Sequence, residues 1–212
     1  MKNPGIIIWT ISIMFLFTAG CREKPLPKPH GYFRIAFPEK RYRVFDSIYP
    51  YKFDIPVYSR ITQDTRSPDE PFWINIQVPE NKADIHISYF RVENSGISPS
   101  PDRAGMRDKP SGKNLAGLIE DSREFVYKHT VKASSINEQV FMNPFRKVYG
   151  TIYFIDGNAA SPMQFFITDS TANFMRGALY IREVPNIDSL RPVIEFLKTD
   201  LIRLIESASW KN

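Results

Sequence analysis

Cysteine is almost absent: Cys21 is the only one in 212 residues. No intramolecular disulfide can form, and no zinc site can be built on several cysteines. The fold must therefore stand on its hydrophobic core. Histidine is scarce as well, with only His30, His86 and His129. No two of them have metal-ligand spacing and there is no H-E-x-x-H. The ten glycines form neither a G-x-G-x-x-G nor a Walker pattern, so nothing in the chain calls for a nucleotide, and no metal or other cofactor is expected. The long apolar run of a membrane-spanning helix is missing too. The longest, Ile6–Phe17 (IIIWTISIMFLF), is about a dozen residues, where a spanning helix takes ~20. Net charge is +5, but the basic residues gather only at Lys40–Arg43 and Arg103–Lys113. Neither patch is dense enough for nucleic acid, so no nucleic-acid partner is expected.

What is there begins with a three-part leader. Lys2 gives a positive start, Ile6–Phe17 an apolar middle, and Thr18, Ala19 and Gly20 a small-residue end. This is the build of a secretory signal peptide over 1–20. Cys21 directly after Ala19-Gly20 resembles a bacterial lipobox, in which the cysteine thiol receives a diacylglyceryl group and the new amine is acylated. Such signals usually hold Leu three positions before the cysteine, where this chain has Thr18. The alternative is a free cysteine behind an ordinary signal. A lone thiol at a mature terminus in an oxidising compartment is a liability, which favours lipid. Arg22–His30 (REKPLPKPH) then forms a proline-rich tether (residues 21–30) that can hold the domain ~28 Å from a bilayer at ~3.1 Å per residue.

The body, 31–212, carries 42% hydrophobic residues and 14% aromatics in the whole-chain composition, enough for a core. Gly31–Pro38, Lys52–Tyr58, Phe72–Val78 and Ala83–Val92 alternate as strands do, the second with Pro56 as an edge candidate. Within Ala83–Val92, Ile85, Ile87 and Tyr89 point one way while Asp84, His86 and Ser88 point the other. Ile61–Pro71 and Glu93–Lys113 read as loops. Leu115, Leu118, Ser122, Phe125 and His129 fall at helical spacing behind Asn114, a cap candidate. Gln139–Phe145, Lys147–Ile155, Pro162–Thr168 and Phe174–Arg182 read as strands. A final helix, capped by Asn186 or Asp188, carries Leu190, Val193, Ile194, Leu197, Leu201, Leu204 and Ile205 on one stripe. Pro192 is placed near its first turn, and Arg191, Glu195, Lys198, Asp200 and Arg203 away from the stripe. Strands, helix, strands, helix with hairpin-length links predict an α+β domain: an antiparallel sheet with two main helices packed on it. That arrangement resembles the PsbP-like fold.

Chemistry is harder to find. Ser161, His86 and Asp169 are the residue types of a hydrolase triad, yet no G-x-S-x-G sets up the serine. Asp69-Glu70 is a pair of loop charges. The stretch DGNAASPMQFFITDST, Asp156–Thr171, concentrates Asn158, Ser161, Gln164, Thr168, Asp169 and Ser170 around two turns. These six are the candidate recognition surface for a protein or glycan, although turns favour such residues in any case.

Three blocks carry a family resemblance: KPHGYFRIAFPEKRYRVFDSIYPYKF, VYGTIYFIDGNAASPMQFFITDSTANFMRGALYI and PNIDSLRPVIEFLKTDLIRLIESASW. They resemble the gliding-motility lipoproteins of the GldD family of the Bacteroidetes. The resemblance implies a non-enzymatic cell-envelope lipoprotein required for gliding, whose partners are proteins of the gliding and type IX secretion machinery. It implies a lipid on Cys21 and no catalytic residues. CREKP, residues 21–25, lacks a run of acidic residues after the cysteine, which points to the periplasmic side. The competing reading is a lipid-anchored hydrolase or ligand-binding protein acting on the cell wall, which predicts a deep pocket with convergent polar groups.

Overall fold

The computed structural model describes residues 35–92, 114–184 and 186–211. The expected signal segment, Cys21 and the expected tether lie outside the described residues, as do Gly31–Arg34 of the first expected strand and the expected Glu93–Lys113 loop. The described residues from Ala36 onward belong to one compact unit.

The described strands are β1 (Tyr42–Phe45), β2 (Tyr51–Pro56), β3 (Arg60–Gln63), β4 (Ile74–Val78), β5 (Ala83–Arg91), β6 (Ala133–Asn143), β7 (Val148–Gly157), β8 (Met163–Thr168), β9 (Asn173–Ile181) and β10 (Ser209–Trp210). Two α-helices accompany them, α1 (Leu115–Tyr127) and α2 (Ile187–Ser207). Seven strands make one antiparallel sheet in the order β3-β4-β5-β9-β8-β7-β6; β1, β2 and β10 make a small second sheet. The expected α+β class and antiparallel sheet are what the chain forms.

The large sheet has two differently covered faces. On one, Ile74, Ile76 and Val78 of β4, Ile85, Ile87 and Tyr89 of β5, and Phe165 and Ile167 of β8 are buried. They share a cluster with Val193, Leu197, Leu201, Leu204 and Ile205 of α2 and with Tyr51, Phe53 and Ile55 of β2. Burying each such side chain contributes about 1.5–3 kcal/mol, so this layer supplies most of the driving force. On the other face a smaller cluster joins Leu118 and Val126 of α1 to Tyr153, Ile155, Phe166 and Phe174. Asn114 caps α1 by accepting the Gly117 N–H at 2.7 Å, and Asn186 caps α2 through the Ser189 N–H at 3.4 Å.

Several expectations need correction. Residues 35–38 are not in a strand; the first described strand lies later, at Tyr42–Phe45, overlapping what reads as a basic cluster at Lys40–Arg43. β2 is central in its sheet, because Pro56 sits at its last position and pairs with Tyr42. The Ile61–Pro71 loop begins with strand β3, which pairs along its length with β4. The buried stripe of α1 is Leu118, Ser122 and Val126; Phe125 is more exposed, and His129 lies past the helix in the 3-10 turn Lys128–Val131. Pro192 falls past the first turn of α2, within the helix. The largest departure is Asp200, which is 1% exposed.

Asp200 is buried because three donors from distant parts of the chain converge on it. Lys40 Nζ lies 2.7 Å from one carboxylate oxygen, which also accepts the Tyr42 hydroxyl at 2.9 Å; the other accepts the Tyr58 hydroxyl at 2.6 Å. Lys40 further donates to the Phe196 carbonyl at 2.7 Å and rides over the Phe196 ring at 3.3 Å from its centroid. Phe37 stacks on that ring at 4.4 Å. Burial lowers the Lys40 pKa, against the pull of the Asp200 carboxylate. Burial and the bonds to Asp200 raise the pKa of Tyr42 and of Tyr58.

Candidate functional site

The period of two that buries Ile74, Ile76, Ile85 and Ile87 on one face sends Asn75, Gln77, Asp84, His86 and Ser88 to the other. Register then lines these side chains up across the sheet. Asn75 stands opposite His86, His86 opposite Ala178, and Ala178 opposite Gln164. Gln77 stands opposite Asp84 and Asp84 opposite Tyr180, while Ser88 faces Arg176. α1 covers the apolar half of this face and leaves the polar half as the floor of a cavity of about 960 Å³. Asp64, Arg66 and Trp73 from the β3–β4 connection wall one side; Phe125, Lys128 and His129 from α1 and its 3-10 turn wall the other.

The charges in this cavity are arranged in layers. Asp64 accepts the Arg66 backbone N–H at 3.1 Å and the Arg66 Nε–H at 3.3 Å. Burial alone raises the Asp64 carboxyl, but the Arg66 bonds outweigh it and hold the pKa below the usual carboxylate range. Arg66 Nη2 lies 3.3 Å from His86 Nδ1, which also contacts Asn75 Oδ1. Asp84 Oδ2 accepts from Arg182 Nε at 3.1 Å, and the Asp84 residue is 9% exposed. The Arg176 guanidinium lies between the rings of Phe90 and Phe125, at 5.2 and 4.5 Å from their centroids. Among the described residues, no three His, Cys, Asp or Glu side chains gather as a metal-holding group.

His86 gives this site a pH signature. Burial first, and the Arg66 cation second, depress its pKa below 6.5, against the opposing carboxylates of Asp84 and Asp64. The native state thus binds fewer protons than the unfolded chain. The stability contributed is complete above 6.5 and is lost progressively as the pH falls from 6.5 to the folded value. An NMR titration of the imidazole is expected to show a midpoint below that of an exposed histidine. Arg66→Ala is expected to raise it, since the cation leaves while both carboxylates stay. An unchanged midpoint would remove Arg66 as the cause.

The six residues of the Asp156–Thr171 stretch do not make one surface. Asn158 and Ser161 lie in the turn before β8, while Asp169 and Ser170 lie in the turn after it, so the whole length of β8 separates the pairs. Ser161 is fully buried, its Oγ pointing to the Met163 carbonyl. Thr168 is buried and donates to the Asn173 carbonyl at 2.6 Å. Asn158 Oδ1 accepts the Ile187 N–H at 2.9 Å, at the start of α2. Asp169 accepts the N–H groups of Thr171, Ala172 and Asn173. Although burial opposes it, these bonds lower its pKa to about 2. Ser170 takes a left-handed φ of 68° and donates its N–H to Thr168 Oγ1. Gln164 alone reaches the cavity. The triad types are not brought together either: His86 lines the cavity, Ser161 does not, and Asp169 is occupied by its turn. Sequence reading missed Arg66, Trp73, Arg176 and Tyr180. For Arg176 and Tyr180 the one signal was polar alternation on a central strand, where both faces ought to be covered; Arg66 and Trp73 lie in the β3–β4 connection and gave none.

Among known proteins, no curated protein matches the chain. A solved structure that it is similar to is cyanobacterial PsbP (CyanoP) from Synechocystis, at 10% identity and a TM-score of 0.44, covering 86% of this chain and 99% of that one. Among the described residues no helix is long and apolar enough to cross a membrane. The family model described as gliding motility lipoprotein GldD matches residues 22–210, nearly the whole chain beyond Cys21. By that match the chain belongs to the gliding motility lipoprotein GldD family.

Proposed function

We propose that this chain is a non-enzymatic assembly component of the gliding apparatus and of the type IX secretion machinery tied to it. It is held to a membrane of the cell envelope by lipid on Cys21, with its domain in the periplasm. The observation that carries the reading is the family match across 22–210, which begins at the residue after Cys21. Several acyl chains on one cysteine make attachment effectively permanent, since each buried methylene contributes about 0.8 kcal/mol.

The sheet supports a protein partner. Among the described residues β6 is an outermost strand of eleven residues, and its Val140 is 71% exposed with Met142 close to it in exposure. A long edge strand that carries exposed apolar side chains is one that another chain can extend. Asn158 and Ser170, the exposed members of the candidate set, are open to the same kind of partner.

The intact mass of membrane-extracted protein tests the anchor. A mass matching residues 21–212 plus a diacylglyceryl group and an acyl chain is expected, and Cys21→Ala is expected to move the protein out of the membrane fraction and stop gliding. An unmodified mass in wild type would overturn the anchor. Capture of type IX secretion proteins by wild type, and its loss in Val140→Lys with Met142→Lys, tests the partner edge; equal capture would overturn it. A second reading, a periplasmic ligand-binding protein or hydrolase acting on the cell wall, is favoured by one observation, the charged cavity on the β5–β9 face.

A further inference from the structure

Two loop tips at one corner of the domain present large apolar side chains that the fold does not use. Phe145, in the turn between β6 and β7, is 102% exposed, and Ile48, in the loop between β1 and β2, is 89% exposed. Neither tip is loose. The Lys147 N–H closes the Phe145 turn on the Pro144 carbonyl at 3.2 Å, and Asn143 Oδ1 accepts the Arg146 N–H at 3.2 Å. Trp210 Nε1–H donates to the Lys147 carbonyl at 3.0 Å, and the Arg146 guanidinium donates to the Ser207 carbonyl. On its other side β10 pairs with Tyr51 and Lys52 of β2. The Lys211 N–H donates to the Pro50 carbonyl at 2.8 Å, and Lys211 Nζ donates to the Ser47 carbonyl. Residues 209–211 thus bolt both tips to one corner. Turn chemistry favours Asn, Pro or Gly and has no need of a ring at the outermost position.

Cations surround the same corner. Arg146 and Lys147 follow Phe145 directly, and the ion pairs found among the described residues include neither. Lys52 and Lys211 stand at the Ile48 loop and share Asp46. In the groove beside the turn Arg203 offsets Asp54, and Glu206 is the other acid. Cations therefore outnumber acids here, five to three. An apolar tip backed by cations has the chemistry of a bilayer interface. The ring enters the acyl boundary, and long basic side chains stay among anionic headgroups. A protein partner buries such anchors in fitted pockets, whereas two separate protruding tips suit a fluid that needs none. Reach is sufficient as well. Fourteen residues lead from Cys21 to Ile35, at most about 50 Å of extended chain. Phe37 stacks on Phe196, which lies eleven residues, or about 16 Å, along α2 from Ser207.

We propose that this corner docks on an anionic lipid surface, with Phe145 and Ile48 entering the acyl boundary and Lys52, Arg146, Lys147 and Lys211 meeting the headgroups. The contact goes beyond the assembly role and does not use the β6 edge. It rests on the membrane attachment proposed at Cys21, which keeps a bilayer within reach.

The membrane-extracted full chain carrying Phe145→Cys, Ile48→Cys or Val131→Cys tests it. With Cys21 acylated, as proposed above, the introduced thiol is the sole free one and takes an environment-sensitive fluorophore. Val131 is the reference: it is 86% exposed and lies next to the end of β6 that pairs with Gly157, opposite the Phe145 turn. Each labelled chain is reconstituted into vesicles of phosphatidylethanolamine and phosphatidylglycerol that carry doxyl lipid, and flotation reports the anchor separately. Thermal unfolding confirms that each variant is folded. Labels at 145 and 48 are expected to shift to the blue and to lose emission to the doxyl lipid, while the label at 131 does neither. Lys147→Gln is expected to lower the ratio of docked to free tip about fivefold, the worth of one cation at an anionic surface. Flotation without quenching at 145 overturns the contact and leaves the anchor standing; failure to float overturns both. Equal quenching at 131 overturns the assignment to this corner. A label at 145 shielded from doxyl lipid and from aqueous iodide alike means that protein covers the tip, and overturns the lipid. Quenching of the same extent in phosphatidylcholine alone overturns the role of the cations.

Discussion

Asp200→Ala is expected to lower the stability of the folded chain by about 3 kcal/mol, measured by denaturant unfolding. The substitution removes the acceptor shared by Lys40, Tyr42 and Tyr58, all at 2.9 Å or less. An ammonium and two hydroxyls then stay in a partly buried site without their partner. The Lys40 side chain is 28% exposed, so water relieves part of that cost and sets the figure near the low end for broken buried pairs. Tyr58→Phe removes one bond and leaves the ion pair, for about 1 kcal/mol. Lys40→Met in the Asp200→Leu background is expected to recover much of the loss, because no charge is then left unpaired. A cost under about 1 kcal/mol for Asp200→Ala would show that the three donors find water instead.

Gly150→Ala is expected to be as damaging for a different reason. Gly150 stands opposite Ile167 in the β7–β8 ladder. A Cβ there would lie 1.9 Å from the Phe166 carbonyl oxygen and 2.9 Å from the Ile167 Cα. Those atoms belong to the neighbouring backbone and cannot rotate away. β7 and β8 must part locally, which strains a ladder inside the sheet, one strand in from β6. The cost is expected to reach or exceed the usual overpacking range of about 1–3 kcal/mol, read as a lower denaturation midpoint. Gly177→Ala is the informative contrast. Its Cβ would lie 2.2 Å from the Phe165 ring, a side chain that can be trimmed. Phe165→Leu is expected to rescue Gly177→Ala in part, while no side-chain trimming rescues Gly150→Ala. Rescue of both would mean the β7–β8 backbone yields more than the register implies.

The parts of the fold legible in the sequence are those whose cause is local. The α2 stripe of Val193, Leu197, Leu201 and Leu204 follows from helical spacing, and the Asn114 cap from residue type. The two faces of β5 follow from its alternation. Asp200 was misplaced because its charge outweighed its position. It lies three residues after Leu197, on the stripe's flank, and only Lys40, Tyr42 and Tyr58 make a carboxylate tolerable there. Those partners lie 142 to 160 residues away, beyond any local pattern. β1 was hidden the same way, its Arg43 reading as part of a basic patch rather than as the outward face of a strand. The cavity needed the pairing of β5 with β9, which sets Asp84 and His86 beside Tyr180 and Arg176. The Asp156–Thr171 set failed conversely: neighbours in sequence, its polar residues sit at opposite ends of β8 or inside it.

The Lys40–Asp200 contact also decides where a mechanical load enters. The described residues begin at Ile35, and Phe37 and Lys40 both grip α2, by stacking and by an ion pair. Tension drawn through residues 35–40 is therefore handed first to the longest helix, whose buried stripe lies on the large sheet. β1 is shielded behind this grip and is not the first element to be peeled. In a chain of the gliding motility lipoprotein GldD family, a load arriving at the N-terminal edge of the described residues would meet this clamp before any described strand.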